Sequence, residues 1–445
     1  MSHDLKKDAL SIIETCIKEM QPGDSVGRAL KGHSFTGRLF LLAAGKAAWQ
    51  MADAAYGLLG DSIERGIVIT KYGHSRGDIG HSGISNSSGK PAGPNGPGNS
   101  AGCEIFEAGH PLPDDNSYKA TEAALEMVSD IGYGDTLLLL LSGGGSALFE
   151  KPLIPVAEIE DINGQLLSCG ADISEMNTIR KRLSAVKGGR LAEACRGSIY
   201  QIILSDVIGD RLDVIASGPA AADSSTCEEA LEIVNKYGLR LSEEVLNCLE
   251  RETPKSISNV ETQVVGSVRL LCKAAAKAAE DLGYKAEIIT DSMECEARKA
   301  GAKLAEYAFT HSHTTDRRSN DSPADESADT PQAFIFGGET VVHIKGKGKG
   351  GRNQELALAA AEGIDGLENA LVFSFGSDGT DGPTDAAGGI VDGRTASLLR
   401  DKGISINDVL DNNDSYNALK AVDGLMMTGP TGTNVNDVSV ILIDR

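Results

Sequence analysis

Ala370-Leu371-Val372-Phe373-Ser374-Phe375-Gly376-Ser377-Asp378-Gly379-Thr380-Asp381-Gly382-Pro383-Thr384-Asp385 is an apolar run that breaks abruptly into a loop of aspartates and glycines. The apolar half, 370–375, reads as a buried strand. In the polar half, glycines let backbone N–H groups come close to an anion. The aspartates offer oxygens that suit a hard cation such as Mg²⁺. One loop of this kind reads first as a surface turn. Its recurrence changes that reading. The apolar run 39–44 ends in Gly45-Lys46, and 137–141 ends in Ser142-Gly143-Gly144-Gly145-Ser146. The run 201–204 ends in Ser205-Asp206, and 333–336 ends in Gly337-Gly338-Glu339-Thr340. In open α/β sheets ligands bind beyond the carboxyl ends of the strands.

Strands alternating with helices predict an α/β protein of two three-layer α/β/α domains with mostly parallel sheets, the first Rossmann-like. A chain of 445 residues is too long for one ordinary domain. The boundary is expected before Thr253-Pro254, giving domains 1–252 and 253–445. Residues 75–103, rich in glycine, serine and proline, are expected to be a flexible insertion. Residues 311–331, polar and acidic, are expected to be a disordered loop. Helical patterns cover 4–22, 47–59, 117–130, 156–168, 174–196, 227–237, 242–250, 267–282, 294–310, 353–362 and 394–402. Further strands are expected at 66–70, 286–290, 341–344 and 439–443.

Composition excludes several classes. The net charge of −22 argues against nucleic acid or an anionic membrane as partner. No apolar run is long enough to span a bilayer, and the polar start Met1–Lys7 shows no secretory signal, so a cytoplasmic location is expected. The 8 cysteines are scattered without a C-x-x-C pair, which suggests a reducing compartment and no zinc framework. A dinucleotide fingerprint, G-x-G-x-x-G after a strand, is absent, as is the P-loop pattern.

An acidic chain that binds an anion needs a local cation. Lys46 sits at a helix start, where the helix dipole disfavours positive charge, and a broken local rule points to function. Lys345, Lys347 and Lys349 alternate with glycines ahead of Arg352. The lysines read as a flexible, solvated loop and Arg352 as a clamp for carboxylate or phosphate. Ser142–Ser146 reads either as a phosphate cradle or as a tight turn. Arg180, Ser184 and Lys187 share a helix face, read as solvated, with Lys187, ahead of two glycines, a weaker site candidate. His110, one of 8 histidines, is an acid/base candidate or a turn histidine. Asn434, in the loop 429–437, hydrogen-bonds substrate or builds the turn.

Together the motifs L-x-A-x-G-K-A at 41–47, G-H-P-x-P-D at 109–114, L-S-G-G-G-S-A at 141–147 and K-G-G-R-L-A at 187–192 resemble the MOFRL-type glycerate 2-kinase family. So do S-D-V-I-G-D at 205–210, S-G-P at 217–219, G-G-E-T at 337–340, G-R-N-Q-E at 351–355, G-S-D-G-T-D-G at 376–382 and the loop 429–437. The resemblance covers nearly the whole chain and departs from it only at the two insertions. It implies a MOFRL-type second domain and ATP-dependent phosphorylation of D-glycerate at the 2-hydroxyl, with Mg²⁺ or another divalent cation. It implies an active site of Lys46, Asp206, Glu339, Arg352, Asp378 and Asn434. In that reading Lys46, Arg352, Asp378 and Asp206 are catalytic, with Asp206 a candidate proton acceptor. Glu339, Asn434, Lys46 and Arg352 contact substrate, Asp378 and Glu339 hold metal, and Ser142, Gly143, Gly144, Gly145 and Ser146 hold the nucleotide. The partners are then small molecules, D-glycerate and ATP, with a homo-oligomer left open. Two other readings stay open from the residues: an NAD(P)H-dependent hydroxypyruvate reductase, and a non-catalytic binder of phosphorylated metabolites.

Overall fold

A computed structural model describes residues 3–79, 98–100, 102–312 and 330–445. Most of the expected insertion (80–97 and 101) and of the expected disordered loop (313–329) lies outside the described residues. The chain forms two compact units, Pro22–Val265 and Met1–Gln21 with Gly266–Arg445. The expected cut at 252/253 therefore moves to 265/266, and the first helix joins the C-terminal unit. The cause is packing: helix Leu5–Glu19 lies on helix Val268–Asp281 and buries Ala9, Ile12, Ile13 and Cys16.

The unit Pro22–Val265 is built on seven strands: β1 Leu39–Ala44, β2 Ile63–Lys71, β3 Gly98–Ser100, β4 Cys103–Ala108, β5 Thr136–Ser142, β6 Ser198–Leu204 and β7 Val260–Gly266. Their order is β3-β4-β2-β1-β5-β6-β7. Pairing is parallel from β4 to β6, and only β3 is seen to add antiparallel, to β4. Every residue of β1 and β5 is buried, as a parallel sheet covered on both faces demands. Each such leucine contributes about 2 kcal/mol of burial. In register, Ala44 pairs with Leu141 and Ser142 with Leu204, so the turns after β1, β5 and β6 stand side by side. The expected helix 174–196 is two helices, Ile173–Arg182 and Arg190–Ala194. It breaks at Gly188-Gly189, whose φ angles are +60° and +86°.

The other unit has β8 Lys285–Met293, β9 Gln332–Gly338, β10 Ala370–Gly376, β11 Gly388–Asp392, β12 Leu425–Met426 and β13 Asp437–Ile443, in the order β12-β11-β10-β13-β9-β8. The two-unit α/β class stands, and mostly parallel pairing holds in the first sheet. Here only β8/β9 is parallel and the other four pairs are antiparallel. The reason is that the last strand, β13, runs back between β9 and β10. Phe334, Phe336, Val372, Ile441 and Ile443 face helices Ala297–Ser312 and Arg352–Gly363. Gly337, beside Phe336, faces Val268 and Cys272 on the opposite layer. The expected strand 341–344 does not form; only Val341 makes a bridge, to Glu296.

The reversal of β13 has a consequence for chemistry. It brings the start of that strand to the ends of its neighbours, so Asp437 pairs with Gly376 on one side and Gly338 on the other.

Candidate active site

In the unit Pro22–Val265 the turns after β1 and β5 are tied by hydrogen bonds, and a side chain from the turn after β6 lies against them. The Lys46 N–H donates to Gly143 O at 2.9 Å, and the Ala47 N–H donates to Ser142 Oγ at 3.0 Å. Gly45 has φ +133°, and a Cβ there would lie 2.2 Å from Ser142 Oγ, so only glycine fits. A Cβ on Gly143 would lie 2.2 Å from Asp206 Oδ2, which places that carboxylate against the turn. A Cβ on Gly144 would meet His110 Cδ2 at 3.0 Å and Lys46 Cγ at 3.2 Å. Lys46, Asp206 and Ser142–Ser146 thus come together, with His110 added. Both serine hydroxyls of the turn are engaged internally, Ser142 with Ala47 and Ser146 with Ser217 Oγ at 3.0 Å. Backbone, rather than hydroxyls, is what this turn can offer a ligand.

His110 sits in a bend, with its ring against the Gly144 turn. Burial, then the charges of Lys46, Lys71 and His74, pushes its imidazole down to about 4, so it is neutral near pH 7. The expected solvated face around Arg180 and Lys187 is instead largely internal. Lys187 is buried against Glu150, Lys181 pairs with buried Asp223 at 3.0 Å, and fully buried Arg182 donates to Ser225 O at 2.8 Å. Buried cations need such partners, and these come from elsewhere in the sequence.

In the other unit Arg352 opens the helix Arg352–Gly363 and reaches back to the strand ends. Its Nε donates to Asp437 Oδ2 at 2.5 Å and its Nη2 to Oδ1 at 3.0 Å, the two-point geometry that favours Arg over Lys. Its Nη1 donates to Glu339 Oε1 at 2.7 Å. Burial pushes the Asp437 carboxyl up to about 6, against the pull of Arg352. Asp378 flanks the same spot: a Cβ on Gly376 would lie 3.3 Å from both Asp378 Oδ1 and Asp437 Oδ1. Buried Asp381 accepts from the Asn353 N–H at 3.2 Å and the Gln354 N–H at 2.9 Å, fixing the start of the Arg352 helix.

The loop 429–437 is pinned to the aspartate loop. The Val435 N–H donates to Ser377 Oγ at 2.8 Å and the Thr431 N–H to Asp378 O at 3.2 Å. Asn434 sits on it, half-buried, with Oδ1 accepting from the Asn436 N–H at 3.4 Å. Glu339, Arg352, Asp378 and Asn434 therefore belong to one loop cluster. Asp437 and Asp381 were not singled out by the sequence. The signal for Asp437 is an acid opening an otherwise apolar strand.

The lysine loop is not the flexible loop expected. The N–H groups of Lys345, Lys347 and Lys349 donate to the side chains of Asn413, Asn412 and Asp414 at 2.7, 3.1 and 2.9 Å. Lys345 and Lys347 remain exposed, while Lys349 lies over the Tyr416 ring. Among the described residues no group of three or more His, Cys, Asp or Glu side chains is gathered to hold a metal. Asp378, with one oxygen taking only the Thr380 N–H at 3.0 Å, fits the usual mode for Mg²⁺, which takes one or two carboxylates and completes its shell with phosphates and water.

Comparison with known proteins bears on these clusters. Residues 8–250 match the model of a domain of unknown function, DUF4147, and residues 332–437 match the MOFRL family. The D-glycerate 2-kinase of Thermotoga maritima is 49% identical, over 99% of this chain and 98% of that protein. The glycerate 2-kinase of Pyrococcus horikoshii is 39% identical, over 99% of this chain and 98% of that protein. A crystal structure of glycerate kinase from Thermotoga maritima superposes with a TM-score of 0.88 over 99% of both chains, at 49% identity.

Proposed function

The chain belongs to the glycerate kinase family built from a DUF4147 and a MOFRL domain, and on that premise we propose that it transfers the terminal phosphoryl group of ATP to the 2-hydroxyl of D-glycerate, giving 2-phosphoglycerate and ADP. The observation that carries the reading is the placement of cations in an acidic chain. Lys46 follows β1, tied by its N–H to the Gly143 turn that Asp206 lies against, and Arg352, opening its helix, reaches the strand-end carboxylate of Asp437. Phosphoryl transfer asks for positioning and charge neutralisation more than for covalent chemistry.

The roles follow from the chemistry of each group. Lys46 and Arg352 neutralise the transferring phosphoryl group or hold the glycerate carboxylate. Asp437 and Glu339 orient Arg352. Asp378, with Glu339 as second candidate, would hold a divalent cation, which would supply charge neutralisation to the phosphates. The backbone of Ser142–Ser146 receives phosphate oxygens, and Asn434 orients substrate. The 2-hydroxyl oxygen attacks the terminal phosphorus, the bond to the bridging oxygen breaks, and ADP leaves. Asp206 is the candidate acceptor of the hydroxyl proton.

Release of ADP from ATP, followed with and without D-glycerate, tests this. Release that requires both D-glycerate and a divalent cation, and stops on chelation, is expected. Release indifferent to D-glycerate would contradict it.

A further inference from the structure

His110 belongs to a motif, G-H-P-x-P-D, to which the roles above assign nothing. It lies on the loop after β4, yet its ring reaches the turn after β5. Nε2 is 3.1 Å and Cδ2 3.0 Å from the position a Cβ would take on Gly144, and Lys46 Cγ is 3.2 Å from the same point. Asp206 lies against Gly143, one residue away. Among the described residues neither ring nitrogen of His110 has a hydrogen-bond partner. A half-buried imidazole that builds structure normally spends at least one nitrogen on a neighbour. Here both are left for something else.

We propose that His110 is a catalytic residue whose ring N–H donates to an anionic oxygen, of a phosphoryl group or a carboxylate, held by Lys46 at the Gly143-Gly144 turn. This deepens the kinase reading and rests on it for the identity of the anion. The groups facing His110 are Lys46, Lys71 and His74, with Asp206 on the neighbouring turn. With three of these cationic or potentially so, the ring stays neutral and acts as a donor without adding charge. A neutral histidine beside a fixed positive field is suited to polarising an oxygen, not to removing a proton from an alcohol. An arriving anion offsets the Lys46 charge and favours imidazolium, so ligand binding and proton uptake at this ring are linked.

Carbon-detected histidine NMR on the full chain, labelled at Cε1, tests this, with the His110 signal assigned by its loss in His110→Gln. In the free chain the signal should titrate near pH 4. Addition of inorganic phosphate or ADP should move the titration upward if the oxygen is phosphoryl. D-glycerate alone should move it if the oxygen is a carboxylate. A signal moved by none of the three overturns the inference. In turnover, His110→Ala should lower kcat by about 10- to 100-fold, and His110→Gln, which keeps an N–H donor, should recover part of it. Turnover of His110→Ala within about twofold of wild type would also overturn it. Should that variant fail to fold, the spectra of the wild-type chain still decide. A shifted His110 in a chain that cannot phosphorylate glycerate would end the kinase reading and leave the anion contact standing. An unmoved His110 in an active kinase would end this inference alone.

Discussion

Arg352 and Asp437 are 85 residues apart in sequence and meet through two hydrogen bonds, of 2.5 and 3.0 Å, at the point where β9 and β10 end and β13 begins. Asp437 is buried, and burial holds its carboxyl up at about 6. Protonation would loosen its grip on Arg352. The kcat/KM profile should therefore show an acid limb near pH 6, absent from a slower, flatter Asp437→Asn profile. Stability runs the other way. An unfolded aspartate titrates near ~3.9, below the folded value, so this group's contribution is full below about pH 4 and is lost as pH rises through about 6. Wild type should gain on Asp437→Asn in urea midpoint as pH falls from about 7 to about 4.

Lys46→Ala and Arg352→Ala should each lower kcat/KM by at least about 100-fold while circular dichroism and melting stay near wild type. Lys46 is only partly buried, so removing it leaves no core cavity. Wild-type turnover in both variants would remove the cations from the mechanism.

Two glycines of one site should behave differently. Gly143→Ala would collide with the far end of the Asp206 side chain, which can swing away. It should cost about 1 kcal/mol in stability but reduce kcat about 100-fold by displacing the carboxylate. Gly45→Ala would collide with Ser142 backbone at 2.5 Å from a residue whose φ is +133°. That should cost about 3 kcal/mol or more, read by urea unfolding.

Asp381 acts on Arg352 through the helix it caps. Asp381→Ala leaves the Asn353 and Gln354 N–H groups buried without acceptors. A stability loss of about 2 kcal/mol is expected, together with a fall in kcat that Asp381→Asn partly restores.

What the sequence disclosed and what it hid have physical causes. β1, β5 and β10 were legible because they are buried at every position and read as unbroken apolar runs. β4 was missed because Glu104 and Glu107 interrupt Cys103 and Ile105 beside a glycine-rich stretch. β11 was missed because it opens on Gly388-Gly389. Pairing direction in the second sheet depends on where β13 inserts, which local periodicity does not encode. Lys46 stood out because a cation at a helix start breaks a local rule, Asp378 because it follows an apolar run into a glycine loop, and Arg352 because it is a cation opening a helix after glycines. Asp437 did not, because its meaning comes from Arg352 across the sheet. The burial of Lys181, Arg182 and Lys187 was hidden for the same reason, since Asp223 and Glu150 are distant in the chain.

The central claim is the transfer of phosphate to one particular oxygen of a small hydroxy acid. Phosphorus NMR of the product formed from ATP and D-glycerate reads activity and position at once. The account predicts ADP and a single new phosphomonoester, with carbon coupling at C2, identical to 2-phosphoglycerate. A 3-phosphoglycerate signal, or no transfer alongside NAD(P)H oxidation by hydroxypyruvate, would contradict it.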